Sequence, residues 1–326
     1  MKESKGAVRS GIFVSENDLK IVEIERTAPS QVRITKIFQT SLDSSLNLLS
    51  VQNDSTLEEM GGQIREILDA LNIRLNKAVF ALDSSFALIK KITVDNDLSE
   101  EDLIDQVDWE VKQFSYSPDD EYIVDFDRIE RLNSDSVQDL VIVSVREKIV
   151  QQLRKLFRAG RLSVGVIDLD IFAAYRAVDF NYDLRPGEDI AIIDVSHRVV
   201  KFTLIRDGEF YNYLEVVPAK VSEQLESFTS LDENNLFNLI STELKKFVLN
   251  SRFSDQIENI SRIFLHGNLV RENILEMLRN NYNVRIDLIN PFREIKMTQS
   301  VTVDEKISAH PETFAVCVGA ALRTKS

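Results

Sequence analysis

A stretch in the second half of the chain repeats a pattern found near the amino terminus. Residues 191–205 read as a buried strand ending at Asp194, a short polar turn, and a second strand that begins at Val199. When the sequence is shifted by 181 positions, residues 11–20 fall on residues 192–201. Identical residues then occur at several pairs of positions, among them Val14 and Val195, Ser15 and Ser196, Lys20 and Lys201, and Ile24 and Ile205. The repeat predicts an internally duplicated fold with one copy in each half of the chain.

The length and the order of the predicted elements indicate two lobes. A chain of 326 residues is long enough for about two domains of roughly 100–200 residues each. Strands followed by helices in each half are typical of an α/β protein. We predict a first lobe from residues 1–82 and 147–184, an inserted β-α-β-β subdomain at residues 83–146, and a second lobe from residues 185–326.

The charge and the cysteine content limit the partners and the compartment. The formal net charge of -14 repels phosphate backbones and anionic lipid heads, which argues against nucleic acid and against direct binding to a membrane surface. Cys317 is the only cysteine, so no intramolecular disulfide forms and a reducing compartment fits. The amino terminus has no signal-peptide pattern, and no run of about 18 apolar residues predicts membrane insertion. A cytoplasmic protein that reaches a membrane only through a partner is therefore expected.

The end of the strand at Asp194 could form half of a phosphate site. In a phosphate-binding hairpin, the turn donates backbone N–H groups to the phosphate and the acid holds a metal-bound water. In the alternative, Asp194 only caps the turn that contains Ser196 and His197. The earlier copy is less suited, because Phe13 matches Asp194 and its turn carries acidic residues. Neither turn contains the glycine that lets a backbone approach a phosphate closely.

A second candidate lies at Leu265-His266-Gly267-Asn268, between a predicted strand and a predicted helix. Such a junction can contact an adenine or a phosphate through the helix amino terminus. In the alternative, Gly267 permits the turn and Asn268 caps the helix. The three histidines have no carboxylate or cysteine at metal-ligand spacing, and no nucleophile motif is present. We therefore predict no metal site and no catalytic residue.

The predicted helix 100–114 in the inserted block carries an unusual aromatic residue. Its apolar arc consists of Leu103, Ile104, Val107, Val111 and Phe114. Trp109 lies on the opposite side, near Asp105 and Asp108. Either the following strands cover this side chain, or it presents surface to a protein partner. The next predicted helix, 147–159, ends on Gly160, where we expect a left-handed C-cap.

Several short motifs occur in an order that resembles a known family. They are Asp194-Val195-Ser196, Arg206-Asp207-Gly208, Leu265-His266-Gly267-Asn268, Asn290-Pro291-Phe292, Val318-Gly319-Ala320-Ala321-Leu322-Arg323, and, in the inserted block, Val107-Asp108-Trp109-Glu110 before Ser117-Pro118. On these motifs, the sequence resembles PilM-type proteins of type IV pilus assembly, which belong to the actin-like group that also contains FtsA. The resemblance covers nearly the whole chain and implies a two-lobed actin-like fold of the RNase H-like duplicated type.

The resemblance also implies a cleft that binds ATP, a position on the cytoplasmic face of the inner membrane, and a groove beside the inserted subdomain for the amino-terminal tail of the membrane protein PilN. The corresponding nucleotide-cleft residues here are Ser15, Lys20, Asp194, Ser196, His197, Gly267 and Asn268. For the partner, the candidates are Trp109, Phe114 and Tyr116. Further pilus or secretion components are expected as partners, and self-association is left open.

This sequence departs from the family at both phosphate hairpins. Family members carry Asp-Ile-Gly there, whereas this chain has Phe13-Val14-Ser15 and Asp194-Val195-Ser196. We therefore predict an adaptor that has lost ATP hydrolysis and needs no cofactor. The alternative is an active ATPase of the same machinery that holds ATP and Mg²⁺ through backbone donors. A third possibility is the cytoplasmic domain of a type II secretion protein, but those continue into a transmembrane helix and this sequence ends at Ser326 without one.

Overall fold

The computed structural model describes residues 7–28, 31–75, 77–115, 120–129, 136–217, 231–299, 301 and 303–324. The strands are β1 Ala7–Ser15, β2 Asp18–Ala28, β3 Gln31–Ser41, β4 Ala78–Leu82, β5 Ala87–Asp95, β6 Tyr122–Ile129, β7 Val137–Arg146, β8 Val164–Leu169, β9 Asp189–Val195, β10 Val200–Arg206, β11 Glu209–Val216, β12 Arg262–His266, β13 Arg285–Leu288 and β14 Lys296–Met297. The helices are α1 Asp54–Ala70, α2 Glu100–Phe114, α3 Glu147–Ala159, α4 Asp170–Asn181, α5 Glu233–Asn250, α6 Glu272–Asn281, α7 Glu305–Ala309 and α8 Ala315–Leu322.

Two of the three sheets share one topology, as the repeat predicts. The first sheet has the order β14-β3-β2-β1-β4-β8, and the second has the order β11-β10-β9-β12-β13. In each, three consecutive strands form an antiparallel meander, and its first strand then pairs in parallel with a later strand, β4 or β12. The strands nearest the sheet centre are almost wholly apolar because both of their faces are covered.

The helices form layers around the two sheets. The side chains of α1 and α3 pack on one face of the first sheet. On its other face lie α4 and α8, which also contact the inner face of the second sheet. The outer face of the second sheet is covered by α5 and α6. The two sheets are therefore joined through α4 and α8, and all eight residues of α8 are buried.

The inserted block has the predicted β-α-β-β order. Its strands form an antiparallel sheet of order β5-β7-β6, and α2 covers one face of it. Leu103, Val107 and Val111 of α2 are buried there. The prediction that Ile104 belongs to the buried arc is wrong, since its side chain is 50% exposed. At about 100° per residue, Ile104 lies at the margin of the arc, next to solvent.

The lobe boundaries remain a prediction, and the carboxyl-terminal elements bear on them. β14 pairs with β3, and α8 packs against β1, so both contact the first sheet. α8 approaches β1 closely because Gly11 has no side chain; a Cβ there would overlap the carbonyl oxygen of Cys317. The Cys317 thiol donates to the Gly11 carbonyl oxygen at 3.2 Å. Burial raises the pKa of this thiol to about 12.

The end of α3 differs from the expected left-handed cap. Gly160 has a φ of -76°, and the left-handed residue is Arg161, with a φ of +50°. Gly160 instead allows a close contact between α3 and α1. A Cβ placed on Gly61 of α1 would lie 2.6 Å from the Cβ of Ala159 and 2.9 Å from the amide nitrogen of Gly160. Glycine at these positions therefore lets α1 and α3 approach each other.

Candidate functional site

The two repeated hairpins have the same strand register. Phe13 lies opposite Lys20 in the pair β1–β2, and Asp194 lies opposite Lys201 in the pair β9–β10. The offset found in the sequence is therefore kept in three dimensions. We call the space between the two hairpin turns the cleft, since it corresponds to the place of the predicted nucleotide site.

Side chains from the two lobes meet across the cleft. The amide of Asn268 donates to the Ser15 hydroxyl at 3.4 Å. The Nδ1 atom of His197 lies 3.5 Å from the carboxylate of Glu16, which has a left-handed backbone with a φ of +57°. The alternative in which Asn268 caps the next helix is wrong, because α6 begins at Glu272 after Arg271 and Asn268 is engaged with Ser15. These contacts close the mouth of the cleft.

Asp194 is held by its own surroundings. Its carboxylate accepts a hydrogen bond from the Ser196 hydroxyl at 2.6 Å. Gly267 packs directly on it, with a φ of +114°, and a Cβ there would overlap both the Asp194 carboxylate and the Val195 carbonyl oxygen. His266, the last residue of β12, lies beside Asp194 in the sheet and is buried. Glycine at 267 is thus required by this packing and by the backbone conformation.

The two repeated lysines are both fully buried but have different partners. The ammonium of Lys20 lies 2.6 Å from the carboxylate of Asp18, in the same hairpin. The ammonium of Lys201 lies 2.6 Å from Asp170 and 2.7 Å from Asp83, which belong to the amino-terminal half of the chain. Buried charges are tolerated when they are paired in this way. Lys201 therefore links β10 to the first residue of α4 and to the residue that follows β4.

Further hydrogen bonds extend this network. The Tyr213 hydroxyl of β11 is 2.8 Å from the Ser84 hydroxyl and donates to Glu215 at 2.9 Å. Asp170 accepts the backbone N–H of Ser84 at 3.0 Å. We call this group the Lys201 cluster, and its members are Asp83, Ser84, Asp170, Lys201, Tyr213 and Glu215. Burial by itself lowers the pKa of Lys201, but the carboxylates of Asp170 and Asp83 outweigh it and raise the pKa, so the ammonium stays charged.

Side chains of the described residues fill most of the space beside Asp194, the acid of the second hairpin. The space left between Asp170, Asp194, Lys201 and His266 is about 10 Å³, which is enough for about one water molecule. Phe13, at 6% exposure, puts an apolar ring where the other hairpin has its acid. Glu16 and Asp18 place negative charge in the first turn. In the part of the chain that the structure describes, no three His, Cys, Asp or Glu side chains are arranged to hold a metal ion.

The structure gathers the predicted cleft residues in one place and adds others. Ser15, His197 and Asn268 meet at the mouth, whereas Asp194, Ser196 and Gly267 form one contact group. The sequence analysis missed Lys201, Asp83, Asp170 and Tyr213 as site residues. A usable signal was present, because a lysine in an otherwise apolar strand requires a buried acid as its partner.

A second concave feature lies beside the inserted sheet. This groove, with a volume of about 550 Å³, is lined by residues 125–129 of β6, by β7, by Phe172 and Tyr175 of α4, and by Ile205 and Phe210 of the hairpin β10–β11. Phe172 and Phe210 pack edge to face with ring centroids 5.5 Å apart. The Tyr175 hydroxyl donates to the Gly208 carbonyl oxygen at 2.8 Å. The groove thus has walls from three parts of the molecule.

The groove carries unpaired negative charge. Three basic side chains at its edge are engaged within the protein: Arg128 with Glu100, and Arg176 and Arg323 each with the buried Asp168 at 2.8 Å. By contrast, Asp125, Asp127 and Asp179 have no ion pair among the described residues. Asp125 and Asp127 accept only the backbone N–H of the next residue, each at 3.0 Å. Burial raises the pKa of Asp179, against the opposing effect of Arg176.

The predicted partner-binding residues lie on the other side of the inserted sheet. Trp109 is 54% exposed on α2, so the described strands do not cover it. Phe114 packs against the α2 side of the sheet, with the Lys90 ammonium 5.0 Å from its ring centroid. Tyr116 lies outside the described residues. Because α2 covers the face opposite the groove, Trp109 and the groove are separate surfaces.

Comparisons with known proteins agree with this architecture. The family model described as type IV pilus assembly protein PilM matches residues 11–214. A solved PilM-PilN type IV pilus biogenesis complex contains a similar chain, with a TM-score of 0.77 and 16% identity over 96% of this chain and 97% of that one. A Bacteroides thetaiotaomicron protein with an actin-like ATPase fold gives a TM-score of 0.50 with 11% identity, covering 87% of this chain and 91% of that one.

The ethanolamine utilization protein EutJ from Carboxydothermus hydrogenoformans gives a TM-score of 0.51 with 9% identity, covering 98% of this chain and 91% of that one. Together these likenesses confirm the predicted two-lobed α/β, actin-like fold. Within the described residues, no helix combines the length and the apolar character that crossing a membrane requires.

Proposed function

Since this chain belongs to the PilM family of type IV pilus assembly proteins, we propose that it acts as an adaptor on the cytoplasmic face of the inner membrane. In this role it binds the cytoplasmic tail of a PilN-like membrane protein and does not hydrolyse ATP. The tail attaches it to the membrane, and other surfaces contact further pilus components. The cleft supports the loss of ATP hydrolysis, and the groove supports binding of the tail.

The closed cleft is the observation that carries the proposal. Ser15 and Asn268 are in contact across it, and Lys201 occupies the space beside Asp194 with its own acidic partners. A phosphate that entered the space beside Asp194 would compete with Asp83 and Asp170 for the ammonium of Lys201. Leaving a buried charge unpaired costs about 3 to 5 kcal/mol. Binding energy at the cleft is therefore opposed before any phosphate contact forms.

The groove supports the partner half of the proposal. It lies between the first lobe and the inserted sheet, where the resemblance places the tail. Apolar side chains such as Ile129, Val141 and Phe172 line it, and Asp125 and Asp127 stand at its edge. Cytoplasmic segments close to a membrane helix carry an excess of Lys and Arg. An acidic edge around an apolar floor is complementary to such a segment.

Isothermal titration calorimetry with Mg-ATP tests the first half. We expect no heat of binding up to millimolar nucleotide and no phosphate release, because Phe13 replaces the acid of the first hairpin and Lys201 is already paired with Asp83 and Asp170. Micromolar affinity together with turnover would overturn the loss of ATPase activity and establish the active-ATPase alternative. Affinity without turnover would retain the adaptor role but contradict a closed cleft.

Fluorescence anisotropy with a labelled peptide, the cytoplasmic tail of a PilN-family protein, tests the second half. We expect the full chain to bind it equally with and without Mg-ATP. Neutralising the groove in the variant Asp125→Asn, Asp127→Asn, Asp179→Asn should weaken binding about tenfold, since each exposed charge pair contributes up to about 1 kcal/mol. Asparagine retains the oxygen that accepts the neighbouring N–H, so the strand is preserved.

The matched control is Glu101→Gln, Asp105→Asn, Asp108→Asn on the exposed side of α2. It removes the same charge from the opposite face and should leave the affinity within about twofold. If both triple variants weaken binding equally, net charge rather than the groove attracts the tail. Trp109→Ala, with Ile104→Ala as its control, tests α2 separately; loss of binding in Trp109→Ala alone would move the site to α2.

A further inference from the structure

We infer that Lys201 is a positioning residue for the groove: by fixing the hairpin β10–β11 against the start of α4, it keeps the groove open to the tail without a nucleotide. The part of this inference that concerns tail binding rests on the function proposed above. The part that concerns the groove walls stands on the geometry alone.

Both elements joined by Lys201 continue into the groove. Lys201 lies in β10, which supplies Ile205 to the groove, and the adjoining β11 supplies Phe210. Asp170 is the first residue of α4, and the same first turn of that helix supplies Phe172. The Lys201–Asp170 distance of 2.6 Å therefore sets the spacing of two groove walls at one end.

Other contacts between these walls lie further along. They include the ring contact between Phe172 and Phe210, the hydrogen bond from Tyr175 to Gly208, and the apolar cluster that contains Val178 of α4 and Ile205 of β10. None of these contacts involves a charged group, and Gly208 lies in an exposed turn. A charge-assisted pair shielded from water is stronger than a neutral hydrogen bond. The Lys201 cluster therefore adds a charged and directional attachment of the hairpin to α4, which the apolar contacts do not supply.

A family fold that holds ATP between its lobes gains a connection through the bound ligand. In this chain a side chain of β10 makes the connection instead of a ligand. The ammonium of Lys201 forms ion pairs with Asp83 and Asp170. The groove walls are consequently set at all times, and partner binding does not depend on the nucleotide state.

Lys201→Met and Lys20→Met form a matched pair, because both side chains are fully buried and occupy equivalent positions in the repeat. The first measurement is hydrogen exchange of the full-length chain below its melting temperature. We expect Lys201→Met to speed exchange about tenfold or more at amides of 171–176 and 204–210. Lys20→Met should leave these amides within about twofold of the parent, since Asp18 lies in a different hairpin.

The second measurement is the anisotropy titration with the tail peptide. Lys201→Met should weaken binding about tenfold, and Lys20→Met should not, even though both lose stability. Where Lys201→Met does not fold, Tyr213→Phe gives the same test, because it removes the hydroxyl that joins Ser84 to Glu215. Its control is Tyr211→Phe in the same strand, whose hydroxyl bonds instead to the Ser251 carbonyl oxygen.

The outcomes separate the inference from the proposed function. Unchanged exchange at 171–176 and 204–210 in Lys201→Met overturns the inference, whether or not the tail binds. Faster exchange with unchanged tail affinity overturns its binding part and leaves the adaptor role intact. If the unsubstituted protein does not bind the tail, the proposed function fails, and the exchange experiment still decides whether Lys201 sets the walls.

Discussion

The two copies of the repeated hairpin differ in where their buried charge is directed. In β1–β2, the ammonium of Lys20 is paired within its own hairpin, with Asp18. In β9–β10, the ammonium of Lys201 is paired with Asp83 and Asp170, far away in the sequence. The backbone register around both lysines is the same. The two lysines thus occupy equivalent positions but stabilise different parts of the structure. Lys20 stabilises a single turn, and Lys201 stabilises the junction between the lobes.

The largest effect should come from removing the lysine that joins the lobes. Lys201→Met leaves the buried Asp170 and the partly exposed Asp83 without a cation, so we expect the free energy of unfolding to fall by about 3 to 5 kcal/mol. Lys20→Met should cost only about 1 to 2 kcal/mol, because Asp18 is partly exposed and keeps its hydrogen bond from Gln39 at 2.8 Å. Urea denaturation measures both. Equal losses would mean that the two ammonium groups have equivalent roles.

The next effect concerns the packing that holds the acid of the second hairpin. Gly267→Ala introduces a Cβ against Asp194 at a φ of +114°, and we expect a loss of about 3 kcal/mol in the free energy of unfolding. Gly187→Ala is the control, since Gly187 also has a positive φ, +81°, but a Cβ added there would meet no atom within 4 Å. It should cost about 1 kcal/mol. A similar cost at both sites would show that strain alone, without the contact to Asp194, accounts for Gly267.

A smaller effect distinguishes the two repeated serines. The Ser196 hydroxyl donates to the Asp194 carboxylate at 2.6 Å, whereas the Ser15 hydroxyl only accepts from Asn268 at 3.4 Å. Ser196→Ala should therefore cost about 1.5 to 3 kcal/mol and Ser15→Ala about 0.5 kcal/mol or less. Thermal unfolding of the two variants, compared with the parent, tests this. A larger loss in Ser15→Ala would mean that the contact across the cleft is the stronger one.

The smallest effect is a pH dependence at His266, whose pKa both lysines influence. Burial lowers the pKa of His266, Asp194 opposes this, and Lys201 and Lys20 lower it further. As the pH falls below about 6.5, the unfolded chain binds a proton that the folded protein does not yet bind, so the free energy of unfolding decreases by up to about 1.4 kcal/mol per pH unit. The loss ends once the pH passes the lower folded-state pKa.

Urea denaturation at a series of pH values measures this slope. His266→Gln should reduce it below about pH 6.5. Lys201→Met should raise the pKa of His266, seen by NMR, because it removes a nearby positive charge. An unchanged slope in His266→Gln would assign the pH dependence to other groups.

Much of the architecture could be predicted from the sequence because it depends on local periodicity. The strand–turn–strand repeat predicts the register that the structure has, and the ends of α2 and α3 agree with the predicted 100–114 and 147–159. Amphipathic spacing and strand alternation carry this information within a few residues. Helical periodicity likewise places Trp109 on the side of α2 away from the buried arc, and it is exposed.

The charge partners could not be predicted in the same way. Asp83 and Asp170 each follow a strand, and in one sequence either reads as a turn residue. Their pairing with Lys201 depends on how β4, α4 and β10 pack together. The groove is similar, since its residues come from β6, β7, α4 and the hairpin β10–β11. For Asn268, local sequence is compatible with a helix cap, but its position beside Ser15 of the other lobe determines its actual contact.

The single cysteine, which lies on α8, can report when this helix separates from the first sheet. Cys317 is buried against Gly11 of β1, and burial raises its pKa to about 12, so its thiolate is scarce at neutral pH. A maleimide or disulfide reagent should label the protein only when α8 separates from the first sheet. Since the chain has only one cysteine, the labelling rate counts these separations without any engineered probe, and a ligand that wedges the lobes apart would accelerate it.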